Sequence, residues 1–134
     1  MTHYEIVKIK ETGQISLPQE YAYDLGMVED SYFLVEIDTG LKEVRLERVA
    51  FPGKKLVELE MIMRERPGVL AMVSAILARY KANIMFNESE ELSPREAAFV
   101  AVMDVSKLTI TVDELREKLS RLSDVKEIVL KPLE

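Results

Sequence analysis

The sequence predicts an α+β protein built from two small modules. Three observations carry that expectation: short stretches of alternating apolar and polar residues, two segments with a one-sided helical stripe, and a Pro-Gly interruption at Pro52-Gly53. At 134 residues, 48% apolar and 31% charged, the chain has the composition of a folded protein rather than a disordered tail.

In the first module, Tyr4 to Lys10 partly alternates, Thr12-Gly13 marks a turn, and Gln14 to Leu17 forms a second extended piece ended by Pro18. A short helix follows and stops at Gly26. Tyr32–Ile37 and Glu43–Val49 then pair as a hairpin around Asp38-Thr39-Gly40, with Gly40 expected to take the positive φ of the turn. The order is β-β-α-β-β over residues 1–50, and residues 51–55 form a linker.

The second module covers residues 56–134. Val57, Leu59, Met61 and Met63 share one face of its first strand, which Pro67-Gly68 ends. Val69, Leu70, Val73, Ile76, Leu77 and Tyr80 mark a helix of about three turns. Ala82–Phe86 is extended again, 87–94 reads as an acidic loop, and 97–105 is apolar on both faces, as a central strand is. Val112, Leu115, Leu119 and Leu122 mark a second helix, with Thr111 and Glu114 at capping-box spacing, and a last strand spans 125–130. Right-handed crossovers turn this β-α-β-β-α-β order into an antiparallel four-stranded sheet with both helices on one face, the ferredoxin-like arrangement.

Composition narrows the chemistry. Eighteen Lys+Arg against twenty-four Asp+Glu give a net charge of −6, so any attraction to nucleic acid must be local. There is no cysteine and one histidine, His3, which removes thiolate chemistry and most zinc and acid-base chemistry. No phosphate-cradling or nucleophile-elbow motif occurs. No catalytic residue, metal site or cofactor is expected, and the chain is read as not an enzyme. Glu58 and Glu60 read as a solvated face or as partners of a cross-sheet Lys; Glu88, Glu90 and Glu91 read as a hairpin tip. No apolar run approaches the roughly 20 residues needed to span a bilayer, and no secretory signal opens the chain, so no membrane partner and a cytoplasmic location are expected. Because a 50-residue unit of short strands buries little surface, self-association as a homodimer or higher assembly is also expected.

Two resemblances add to this reading. Lys10-Glu11-Thr12-Gly13-Gln14-Ile15-Ser16-Leu17-Pro18, followed by Leu25-Gly26-Met27, resembles the start of an AbrB/SpoVT-type swapped-hairpin domain. That resemblance implies an intertwined homodimer, in many members a DNA-binding one. Lys8, Lys10, Arg45 and Arg48 are the basic residues available for such a face. Against it, the family's frequent Pro-Lys-Glu-Leu-Arg is here Pro18-Gln19-Glu20-Tyr21-Ala22, and residues 1–50 carry five basic and ten acidic side chains. DNA binding and plain dimerisation therefore both stand open.

The stretch from Arg64 through Pro67-Gly68-Val69-Leu70 to Asn83-Ile84 resembles the signature of an ACT domain. The family implies a regulatory module that binds amino acids or similar small effectors between paired domains. The helix beginning at Val69 has Arg66-Pro67-Gly68 where a side-chain cap would stand, so its first N–H groups are open to an anion. The candidate ligand residues are Arg64, Glu65, Arg66, Gly68, Val69, Leu70, Asn83 and Ile84. An effector's carboxylate would meet the Gly68 and Val69 amides and its amine Glu65. Asn83 stands where the family places an effector contact, with a plain strand-start residue as its other reading. Together these readings describe a regulator of transcription that senses an amino acid, with a dimerising metabolic regulator that does not bind DNA as the alternative.

Overall fold

A computed structural model of the chain describes residues 2–133; Met1 and Glu134, the outer bounds of the two expected domains, lie outside the described residues. The chain divides into two compact units between Pro52 and Gly53.

In the first unit, helix α1 spans Gln19–Leu25 and ends at Gly26, whose φ of 75° allows Gly26 and Met27 to donate back to the last carbonyls. Strands β1 (Tyr32–Asp38) and β2 (Glu43–Ala50) form an antiparallel hairpin. Its positive φ falls at Lys42 rather than at the expected Gly40, because the Asp38 carboxylate accepts from the Leu41 N–H at 2.9 Å and sets the turn itself. The two strands expected before α1 do not form: residues 2–17 carry no strand, so this unit is α-β-β and not β-β-α-β-β. The Thr12-Gly13 turn is present, with Gln14 N–H donating to Glu11 O. What these residues lack is a neighbouring strand to take their remaining backbone groups, and Tyr4, Ile6, Ile9 and Ile15 stand exposed. Along the hairpin, Val35, Ile37, Val44 and Leu46 share one face by register, and all four are exposed.

The second unit follows the order β3 (Leu56–Arg64), α2 (Val69–Arg79), β4 (Asn83–Ser93), β5 (Glu96–Asp104), α3 (Val112–Ser120) and β6 (Val125–Pro132). Its sheet order is β4-β5-β3-β6 with every pair antiparallel, the ferredoxin-like arrangement. Strict alternation builds the core. Leu59, Met61 and Met63 of β3 and Phe99, Ala101 and Met103 of β5 face Val73 and Leu77 of α2 and Leu115 and Leu119 of α3. Each fully buried Leu or Phe contributes roughly 1.5–3 kcal/mol of apolar burial. The other face of β3 carries Glu58 and Glu60, both 3.7 Å from Lys131 across the sheet. Helix α3 starts with the expected capping box, Thr111 accepting from Glu114 N–H and Glu114 reaching back to Thr111. The segment 87–94, expected as a loop, instead continues β4 to Ser93, because its backbone pairs with β5 as far as Glu96.

Asp104 ends β5 with its side chain buried. Its carboxylate accepts from Ser106 N–H at 3.0 Å and Lys55 N–H at 3.2 Å and lies 3.6 Å from the Lys54 ammonium. Burial alone would raise its pKa; the Ser106 and Lys55 hydrogen bonds and the Lys54 charge outweigh burial and hold it below the ordinary carboxylate value. A depressed folded-state pKa contributes stability above the unfolded-state value near about 4, and that contribution is lost as pH falls through the folded-state pKa. Asp104→Asn is therefore expected to cost about 1–2 kcal/mol at neutral pH, and thermal melts should find the gap from wild type closing as pH is lowered below about 4.

Candidate functional site

Strand β3 delivers the turn that precedes α2. Arg64 N–H donates to Asp124 O and Glu65 N–H to Arg95 O, each at 2.8 Å, which ties the turn to the two loops beside it. The Arg66 guanidinium donates to Asp124 Oδ2 at 2.7 Å. Asp124 is only 1% exposed, and its Oδ1 has no hydrogen-bond partner among the described residues. Arg66, a candidate ligand contact on sequence grounds, thus serves this buried carboxylate.

Gly68 occupies the N-cap of α2 with φ 90° and no side chain caps the helix. Val69 N–H makes one long contact, 3.5 Å, to Arg66 O, and the Gly68, Leu70 and Ala71 amides make no backbone hydrogen bond among the described residues. The Val69 side chain is buried in the core, and Leu70 and Glu65 are exposed.

Asn83 and Ile84 are elsewhere. Register places Asn83 opposite Asp104, and Asp104 opposite Leu56, whereas Arg64 lies opposite Glu96 near Ser93. Asn83 is therefore level with the beginning of β3, and eight residues at ~3.3 Å each separate it by about 26 Å from the Arg64–Gly68 turn. Ile84 packs against the core. Within one chain the predicted ligand residues form two groups at opposite ends of the sheet.

The Asn83 end holds a concavity of about 540 Å³, lined by Lys54, Ser74, Lys81, Asn83, Asp104 and Lys107 over Leu77, Ala78, Ala82 and Ile84. Of this lining the sequence marks only Asn83 and Ile84; Ser74 is exposed at the cleft. A signal for part of it is present in Asp104-Val105-Ser106, where a carboxylate two residues before an N–H favours a side-chain-closed turn. Nothing local in the sequence marks Asp124 as buried, since its partner Arg66 is 58 residues away.

The basic residues of the first unit do not share a face. Arg45 and Arg48 fall on opposite sides of the hairpin, Arg45 across from Glu36 and Arg48 across from Phe33. The Arg48 guanidinium lies 3.9 Å from the Phe51 ring centroid and packs against the bare α-carbon of Gly26. Lys8 and Lys10 are exposed, on the segment without strand structure, beside Glu5 and Glu11.

No family model and no curated protein matches this sequence. Among solved structures, a homoserine dehydrogenase from Thiobacillus denitrificans is similar at TM-score 0.50 and 23% identity over 60% of this chain, which spans only 18% of that enzyme. The C-terminal domain of the MgtC protein from Mycobacterium tuberculosis is similar at TM-score 0.50 and 15% identity, covering 64% of this chain and 95% of that domain. The ACT domain of a GTP pyrophosphokinase from Chlorobium tepidum aligns at TM-score 0.46 and 13% identity, over 57% of this chain and 97% of that one. The first two share a fold with this chain, over a length that matches its second unit. The swapped-hairpin reading of the first unit finds no counterpart among these three structures. No helix of the described residues is long and apolar enough to cross a membrane.

The Arg66–Asp124 bond makes a direct prediction. Arg66→Ala leaves a buried carboxylate without a partner and is expected to cost about 1–3 kcal/mol in a denaturant titration, while Arg66→Lys recovers part of the loss. An unchanged midpoint in Arg66→Ala would mean that the pair does not hold the turn.

Proposed function

We propose that this chain is a non-catalytic, ligand-responsive regulator whose second unit is an ACT-type module that takes an amino acid or similar small effector between two copies. The observation that carries the reading is the outward face of α2. Leu70, Ala71, Met72, Ala75 and Ala78 are all exposed, so the helix is apolar on both sides. A helix apolar all round belongs in an interior, and small alanines permit close helix approach. Packing this face against the same face of a second copy, antiparallel about a two-fold axis, sets the α2 N-terminus of one protomer beside the Asn83 end of its partner. The two groups of ligand residues then meet, with Leu70 and Ala71 amides for the effector carboxylate, Glu65 for its amine and Asn83 from the second copy.

In the first unit, self-association is the role its placement supports. One face of the hairpin exposes Val35, Ile37, Val44 and Leu46, and the preceding segment exposes Ile6, Ile9 and Ile15. A second copy supplies both the apolar cover and the missing strand partners. The divided basic residues and the excess of acidic side chains favour a regulator that acts without DNA over one that binds it.

Effector binding should stabilise the folded state by mass action. In a thermal-shift screen of the amino acids, a cognate effector at ten times its dissociation constant is expected to raise Tm by about 5 °C. Asn83→Ala, at an exposed position, should remove that shift while changing basal stability by less than about 0.5 kcal/mol. Flat melting curves across the whole screen would remove the sensor assignment.

A further inference from the structure

The cleft beside Asn83 differs in character from the α2 N-terminus and is complete within one chain. Its lining includes three lysines, Lys54, Lys81 and Lys107, against the single acidic residue Asp104, in a chain whose overall charge is −6. Asp104 is already satisfied by Lys55 and Ser106 N–H groups and by Lys54. Lys81 and Lys107 have no carboxylate partner among the described residues. The Ser74 hydroxyl and the Asn83 amide add neutral donors, and Leu77, Ala78 and Ala82 give an apolar floor that strengthens charge interactions.

The end of α2 would ordinarily repel an anion, because its last carbonyls carry partial negative charge. Here that charge is answered. Ala82 N–H donates to Leu77 O at 2.9 Å, Lys81 N–H to Ala78 O at 3.2 Å, and Thr109 N–H to Tyr80 O at 3.0 Å. This closure needs a left-handed residue at position 81, and the residue there is Lys, with φ 60°, rather than the Gly that the geometry favours. Lys81 keeps a less stable backbone and supplies a cation to the cleft rim, the pattern expected of a functional position.

We propose that this cleft binds a small phosphate-bearing molecule. Lysines act on phosphate as point charges from several directions, whereas planar carboxylates are matched by the guanidinium fork, and no arginine lines the cleft. A volume of about 540 Å³ exceeds inorganic phosphate and suits a phosphomonoester of metabolite size.

The test uses the full chain with inorganic phosphate and glycerol phosphate as probes, against sodium chloride at matched ionic strength. Both probes are expected to raise Tm, by about 5 °C at ten times the dissociation constant. Lys107→Gln should weaken each at least ~tenfold. Lys81→Gly should raise the basal Tm by about 2–4 °C and also weaken both probes at least ~tenfold; a purely structural Lys81 would give the first effect without the second. A shift equalled by chloride, or one that survives in the Lys81→Gly, Lys107→Gln double variant, overturns the proposal. The two sites share Asn83, but the amino-acid screen reads the α2 N-terminus and this test reads Lys81 and Lys107, so either can fail without the other.

Discussion

The period-two burial of β3 and β5 is the constraint on which the second unit depends. Leu59, Met61 and Met63 lie beside Phe99, Ala101 and Met103 on one face, and both helices close over that face. Moving β3 by one residue would turn Glu58 and Glu60 toward the helices and its core residues toward water. With the register fixed, the ends of the sheet are fixed as well. Leu56, Asp104 and Asn83 share one end, and Arg64, Glu96 and Ser93 the other. Every candidate ligand residue of this unit belongs to one of these two ends.

That separation explains how the two ends differ. At the Arg64 end the open groups are backbone amides, presented by a turn that Arg66 and Asp124 hold in place. At the Asn83 end they are lysine side chains around a carboxylate that other groups already satisfy. A molecule that contacts only the second end can be held by one chain. One that needs both ends requires a second copy, and the apolar outward side of α2 is the surface on which that copy can lie.

Much of the second unit is legible in the sequence because its signals are local. The Val69–Tyr80 stripe, the Thr111–Glu114 box and the alternation of Val57–Met63 each lie within one element, and each element forms where its pattern stands. Where sequence and structure part, the deciding interaction comes from a distance. Residues 87–94 look like an acidic loop, yet those as far as Ser93 pair with β5 through their backbone groups. Residues 4–10 and 14–17 have strand patterning, yet among the described residues they form no strand. Arg66 looks free for a ligand until Asp124, distant in sequence, is brought beneath it. Asn83 and Gly68 lie 15 positions apart, beyond opposite ends of α2, and strand register places them at opposite ends of the sheet.

The central claim is that two copies meet through α2 with their helices antiparallel. The absence of cysteine from the chain permits a direct measurement, since Ala75 lies exposed near the middle of that helix, where a two-fold axis would bring it against itself. Ala75→Cys, oxidised under mild conditions at micromolar concentration, should run as a covalent dimer on a non-reducing gel, because antiparallel pairing brings the two thiols within disulfide reach. A product that stays monomeric, while a cysteine placed instead at exposed Glu117 of α3 cross-links efficiently, would contradict the account.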